Sequence, residues 1–387
     1  AVVGGLGRGG WSPNRWGCYF GAGGVVWEGN AGRAAGICGR NSDREFAYCP
    51  PGSGRFGIAM TLYYRPLVEE QGTHVLAGGW CRFSKVEVLS RQGRAALISA
   101  DEVPQDILHR LTSARSDLGT KASAGPQVMG ILNTTPDSFS DGGQFGSPAS
   151  ARAHAVRLLQ EGADIIDIGG ESTRPGADLV ALEEEISRTK PTILDLRQVS
   201  SLPLSIDTRK APVAAAALEA GVDWINDVSA LSFDSEMAQV AARSGAPLCL
   251  MHAPSDPKTM QQKAHYEDVL LDVYDYLAAR IEFALSQGIL RQNIIVDPGI
   301  GFGKTLEHNL ALLRGLAVFH GLGCPILLGA SRKRFIGTIS GAEKAQDRMA
   351  GSVAVALAAA GQGAQILRVH DVRETVQALK LWAAVRG

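Results

Sequence analysis

From Gln127 to Gly387 the chain repeats one pattern eight times: a short apolar run bounded by turn residues, then a segment of helical periodicity. The runs are Val128–Leu132, Ile165–Ile168, Leu204–Ile206, Trp224–Ile225, Leu248–Met251, Ile294–Val296, Ile326–Leu328 and Ile366–Val369. The helical segments fall near 148–161, 179–199, 211–220, 234–244, 266–287, 306–316, 345–361 and 372–385. Ser147-Pro148 suits a helix start, with Ser as N-cap and Pro in the first turn, and Gly162 suits its stop. Strict strand–helix alternation places a helix between each pair of strands, which forces parallel pairing. Eight units over about 260 residues predict a (β/α)8 TIM barrel at 126–387. A doubly wound open sheet is the competing arrangement. The count favours closure, because no strand is left over and none is missing.

The preceding residues differ in character. Residues 1–59 are Gly-rich and aperiodic, with isolated Trp11, Trp16 and Trp27, and the first methionine is Met60. Such a composition buries too little to offset its ordering entropy. Two readings stand: non-native sequence upstream of a start at Met60, or a disordered Gly-rich tail. Residues 60–125 read as a small accessory α+β segment and linker. Its expected strands are Thr61–Pro66, Gly79–Phe83 and Val86–Ser90, its helix Pro104–Leu111, and its linker Ser113–Pro126.

Bulk properties remove several function classes. A net charge of -1 supplies no field for steering nucleic acid or an anionic membrane. No run approaches the roughly 20 apolar residues of a membrane span. The six cysteines show no metal-ligand or redox spacing. The expectation is a cytoplasmic enzyme with small-molecule substrates and neither a nucleic-acid nor a membrane partner.

In a barrel of this kind the chemistry sits just past the strands. The residues there are Asn133, Glu171-Ser-Thr-Arg174, Asp207-Thr-Arg209 and Asn226-Asp227, then His252, Asp297, Ser331-Arg-Lys333 and Arg368-Val-His370. Taken singly, each is explained as readily by a structural hydrogen bond at a strand end. All eight together call for a ligand. Asp207, Asn226 and Asp297 offer acceptors and an amide donor suited to a flat heterocycle such as pterin or guanine. Arg174, Arg368 and His370, with Asn133 and Thr173, form an anion-directed group. Asn133 can also give an oxygen to Mg²⁺, a cation that needs few protein ligands. Gly303-Lys304-Thr305 resembles the end of a P-loop, but Pro298 occupies the position where that motif needs its first glycine. The surrounding glycines read instead as a flexible loop, with Phe302 as an apolar lid.

The segments Met129-Gly-Ile-Leu-Asn-Thr-Thr-Pro-Asp-Ser-Phe-Ser-Asp-Gly-Gly143 and Ile165-Ile-Asp-Ile-Gly-Gly-Glu-Ser-Thr-Arg-Pro-Gly176 together resemble the signature of dihydropteroate synthases. The resemblance extends through Leu204–Thr208, Ile225–Val228, Val296–Lys304, Gly329–Lys333 and Leu367–Asp371, covering nearly all of 127–387. It implies condensation of a dihydropterin hydroxymethyl diphosphate with p-aminobenzoate, and usually a homodimer. It implies that Asp207, Asn226, Asp297 and Lys333 hold the pterin. Asn133, Arg368 and His370, helped by Thr173 and Arg174, would hold diphosphate and Mg²⁺. Phe302 and the loops after the first two strands would form the p-aminobenzoate pocket. Loss of Arg368 should then cost on the order of 10²–10³ in rate with the fold intact.

Two positions depart from the family pattern. Ala253-Pro254 follows Met251-His252 where Met-Gln-Gly is common, and Arg334 follows Lys333 where Ser is common. Two rival readings remain: a pterin-dependent methyltransferase, which would leave Asn133, Arg368 and His370 without a role, and a catalytically idle pterin-binding barrel.

Overall fold

The computed structural model describes residues 18–21, 24–27, 61–116, 118, 125–134, 148–172 and 176–386. The chain divides into two compact units, Ala1–Ala59 and Met60–Gly387. In the first, β1 (Cys18–Gly21) pairs antiparallel with β2 (Gly24–Trp27), two strands the sequence reading did not find. The rest of the expected disordered or upstream segment lies outside the described residues.

The second unit opens with an antiparallel sheet. It consists of β3 (Tyr63–Glu69), β4 (His74–Val75), β5 (Arg82–Ser90) and β6 (Gly93–Ser99), followed by α1 (Gln105–Thr112). β5 is one continuous strand where two were expected, and β6 was not anticipated. Its Gly93-Arg94-Ala95-Ala96 start lacks the β-branched alternation that marks a strand. Phe83, Val86 and Leu111 give this layer its own apolar centre.

The barrel follows. Its staves are β7 (Gln127–Asn133), β8 (Ile165–Gly169), β9 (Leu204–Asp207), β10 (Trp224–Asp227), β11 (Leu248–Met251), β12 (Ile294–Asp297), β13 (Leu327–Leu328) and β14 (Ile366–Val369). All neighbours pair in parallel, in chain order, and β14 returns to β7. Between β12 and β13 a single bridge, Val296 to Ile326, closes the ring. The open-sheet alternative is therefore set aside.

The intervening helices are α2 (Pro148–Glu161), α3 (Leu182–Val199), α4 (Ala211–Glu219), α5 (Met237–Ser244), α6 (Val269–Ser286), α7 (Leu306–Arg314), α8 (Arg334–Ser340), α9 (Met349–Ala360) and α10 (Val372–Arg386). Side chains secure several starts: Asp268 accepts from the amides of Leu270 and Leu271, and Thr305 caps α7. Only α8 is additional to the expected eight, and its seven residues are too short to show a helical period.

Strand residues two apart share a face. At the N-terminal end Met129, Ile165, Trp224, Cys249, Ile295, Leu327 and Ile366 meet inside the ring as an apolar floor. Leu118, from the stretch read as a linker, packs against that floor, and its carbonyl accepts a 3.0 Å hydrogen bond from the Trp224 indole. Leu118 thus plugs the barrel base.

Candidate active site

Two residues above the apolar floor, on the same inner face, come Asp167, Asn226, Asp297, Gly329 and Arg368. Ser205 lies opposite Asp167 on the neighbouring stave, and Asp207 is the next inward position. The change from apolar to polar across a single strand repeat makes the site's lower wall.

At its centre is Arg368. Its Nε donates to Asp167 Oδ2 at 2.6 Å and its Nη2 to Asp207 Oδ2 at 2.7 Å. Asn226 Nδ2 donates to the same Asp167 oxygen at 3.1 Å. The second oxygens, Asp167 Oδ1 and Asp207 Oδ1, are buried without a hydrogen-bond partner, as is Ser205 Oγ. Buried polar atoms normally find partners. Three such orphans lie together above the apolar floor, a cluster of acceptors able to receive donors. Two glycines keep that space open. A Cβ at Gly169 would sit 3.5 Å from Asn133 Oδ1 and 3.8 Å from Asp207 Oδ2; one at Gly329 would sit 3.7 Å from Asp297 Oδ2 and 3.8 Å from Arg368 Cδ. A side chain at either position would project toward these polar groups.

Burial pushes the Asp207 carboxyl up to about 7, with Arg368 opposing the shift and Asp167 adding to it. Burial likewise raises Asp297 to about 6, against the Gly299 amide and the Lys333 charge. Burial alone would lower Arg368, but the charges of Asp167 and Asp207 overcome it and keep the guanidinium protonated.

The upper rim carries the remaining groups. Asp297 Oδ1 accepts from the Gly299 amide at 2.7 Å, fixing the turn that follows β12. Lys333 Nζ stands 3.8 Å over the Phe302 ring, a cation–π contact that joins the β12 and β13 loops. His370 is held by Ser331 Oγ, 3.1 Å from its Nδ1 and 3.2 Å from its amide. Arg332 forms a two-point pair with Asp371, at 3.1 and 2.5 Å, tying the β13 and β14 loops together. Arg334 is exposed at the start of α8.

Of the residues singled out from sequence, Asn133, Asp207, Asn226, Asp297, Phe302, Lys333, Arg368 and His370 all come from the C-terminal ends of the staves. Thr173 and Arg174, with most of the loop after β7, lie outside the described residues. Arg368, expected to face an anion, makes its side-chain hydrogen bonds to the carboxylates of Asp167 and Asp207. Asp167 escapes a reading of strand ends because it lies within β8 and not after it. Its signal was a charged residue inside the apolar run Ile165-Ile166-Asp167-Ile168, two places from the inward-facing Ile165.

Also missed was a buried ion network behind β8 and β9. Glu171 accepts from Arg209 Nε at 3.0 Å and from Lys210 Nζ at 2.6 Å; Lys210 also reaches Glu185 at 2.5 Å. Arg209 continues to Asp256 at 2.8 Å. Glu171 further accepts from the Val180 amide, and Lys210 donates to the Val180 carbonyl, so the network anchors the far end of the loop after β8. Burial works against the Glu171 charge, yet Lys210, the Val180 amide and Arg209 hold its carboxyl below the usual range.

Residues 129–370 match the family model described as pterin binding enzyme. The chain belongs to the dihydropteroate synthase family of pterin-binding enzymes. It is 49% identical over 254 residues to a dihydropteroate synthase of Synechocystis, an alignment covering 66% of this chain and 88% of the relative. Among solved structures it resembles the Xanthomonas albilineans dihydropteroate synthase with 4-aminobenzoic acid, at 46% identity and a TM-score of 0.65, covering 70% of this chain and 98% of that one. It also resembles the same organism's enzyme in complex with 7,8-dihydropteroate, at 44% identity and a TM-score of 0.63, covering 70% and 99%. The aligned share matches the barrel. Family membership therefore rests on the same residues that build the site. Among the described residues no helix is long and apolar enough to cross a membrane.

Proposed function

We propose that the chain condenses 6-hydroxymethyl-7,8-dihydropterin diphosphate with p-aminobenzoate, giving 7,8-dihydropteroate and pyrophosphate, as a transferase of folate biosynthesis. The observation that carries this reading is the pair of unpartnered oxygens, Asp167 Oδ1 and Asp207 Oδ1, set among Asn226 and Asp297 in a concavity floored by apolar side chains. A flat ring edged with N–H donors satisfies those acceptors, and few other shapes do.

The chemistry assigned to the residues follows from charge development. As the C–O bond ionises, positive charge grows on the pterin methylene, beside Asp207 and Asp297, and negative charge grows on the departing diphosphate. Arg368 and His370 favour the anion, with Thr173 and Arg174 from the loop after β8, and Lys333 holds the pterin. The aryl amine then attacks the methylene, and Phe302 offers an apolar face to the ring that carries it. No protein nucleophile is needed.

Mg²⁺ is compatible with the donor set. The described residues form no cluster of three His, Cys, Asp or Glu. Asn133 would supply one amide oxygen, and the substrate's phosphate oxygens and water the rest, which is how this cation commonly binds. When bound it would neutralise charge on the leaving group. We further assign a cytoplasmic homodimer, on the family resemblance and on the exposed Leu381 and Val385 of α10.

The test is pyrophosphate release by the purified chain. Release that needs both substrates and Mg²⁺ supports the assignment. Methyl transfer without pyrophosphate would favour a pterin-dependent methyltransferase, and pterin binding without turnover an idle barrel.

A further inference from the structure

We propose that Lys304 is a positioning residue for the p-aminobenzoate half of the reaction: its ammonium pins the turn Gly299–Gly303, and with it Phe302, onto the segment that leaves β11. The inference rests on the function proposed above, and it assigns a role to a lysine that sequence reading dismissed as part of a false P-loop.

Lys304 is only 5% exposed. Its Nζ lies 3.0 Å from the Phe302 carbonyl, 3.0 Å from His252 Nδ1 and 3.5 Å from the His252 carbonyl. Three acceptors meet the three donors of an ammonium. Among the described residues no carboxylate forms an ion pair with it, and its bonds go to two backbone carbonyls and one imidazole. The turn it holds has no slack. A Cβ on Gly299 would fall 2.0 Å from the His252 carbonyl, and one on Gly303 2.2 Å from Pro254 Cγ. On the other side, a Cβ on Gly301 would meet Lys333 Cδ at 2.9 Å, and Lys333 Nζ rests over the Phe302 ring. A shift of this turn therefore displaces Phe302, while the flexible Lys333 side chain can follow it without leaving its place.

The surroundings make the pin sensitive to protonation. Burial pushes Lys304 down to about 7, with Asp297 resisting and Lys333 assisting. Burial and the Lys304 charge keep His252 neutral. The other ionisable neighbours are Tyr266 and Tyr276, which pack against the His252 ring, and His308, which meets Tyr266 edge-on. Tyr266 also donates to the Gly303 carbonyl at 2.9 Å. A neutral amine has one donor fewer, so one of the three acceptors is released as Lys304 deprotonates.

The test is Lys304→Met. The Michaelis constant for p-aminobenzoate should rise about tenfold, the order expected from losing a charged hydrogen bond, while that for the pterin diphosphate stays within about twofold. In the unsubstituted enzyme the p-aminobenzoate constant should climb above pH 7, and in Lys304→Met that climb should vanish. The pin is also read without turnover: amide hydrogen exchange at Gly301–Lys304 should quicken about tenfold in the variant. Unchanged exchange with an unchanged p-aminobenzoate constant overturns the proposal. So does an equal rise of both Michaelis constants with early melting, which would mean Lys304 supports the whole barrel. Absence of dihydropteroate synthesis by the unsubstituted chain would instead overturn the proposed reaction, leaving the exchange measurement to decide the pin.

Discussion

Arg368 on the last stave reaches Asp167 on the second, Nε to Oδ2 at 2.6 Å, across the inside of the ring. Its other contact, at 2.7 Å, goes to Asp207 on the third. One guanidinium thus braces three staves and neutralises two carboxylates that are almost wholly buried. Removing one partner of a buried ion pair leaves uncompensated charge. Arg368→Ala should therefore lose more than rate. A drop of about 10²–10³ in kcat/KM is expected from the missing oxyanion partner, together with about 3–5 kcal/mol of stability. The sequence reading foresaw the first with an intact fold. Thermal unfolding beside steady-state kinetics checks both, and a variant that melts normally would remove the bracing role.

Asp167→Asn keeps shape but exchanges a double acceptor for a donor and an acceptor. With its amide oxygen at the Oδ2 position the Asn keeps both the Arg368 and the Asn226 bond, now without its charge, and the orphaned Oδ1 acceptor becomes a donor, lost to the ligand. About 1.5–3 kcal/mol of pterin binding should disappear, the usual worth of a charged hydrogen bond. Calorimetric titration with a pterin measures it. Unaltered affinity would show that Asp167 serves Arg368 alone.

The raised carboxyls set a pH dependence. Pterin N–H donors need ionised acceptors, so kcat/KM for the pterin diphosphate should fall as pH drops through about 7, where Asp207 protonates, and again near 6 with Asp297. Stability runs the other way. Both groups have folded values above the ordinary aspartate value of 3.8, so the native state binds more protons than the unfolded chain. These two groups therefore cost stability progressively as pH rises from about 4 to about 7. A pH series of kcat/KM and of melting temperature should show opposite trends, and parallel trends would contradict the assignment.

The accessory sheet is fastened to the barrel by specific contacts. The Trp80 indole donates to the Ala360 carbonyl at 2.8 Å, Tyr63 Oη donates to Asp275 at 2.8 Å, and Arg91 pairs with Asp272 and Asp275. Tyr63 also packs edge-on against Tyr274, with ring centroids 5.3 Å apart. A chain beginning at Gln127 would lose these contacts and the Leu118 plug. It should melt well below the full chain; equal melting temperatures would make the accessory sheet dispensable for stability.

How much could be read beforehand depended on which face a residue occupies. The staves were legible because each buried run is short, apolar and followed by a turn residue, and Leu248–Met251 and Ile366–Val369 were placed to the residue. Groups past the strand ends, such as Asp297 and Lys333, were legible for the same reason. Asp167 was not, since a single strand period does not say which face turns inward until the ring closes. For Lys304 and Glu171 the residues were visible but their partnerships were not. Their partners, His252 and Lys210, are 52 and 39 residues away in sequence, and no local pattern links them.

The ring is joined at its sixth and seventh staves by one bridge, Val296 to Ile326, where every other junction has a ladder. Asp297 hangs beside that slit on one bank, and Lys333 leaves the short seventh stave on the other. Under the proposed function, a substrate held by both residues would join those two staves where the backbone ladder is thinnest, so its binding should slow amide exchange at that junction.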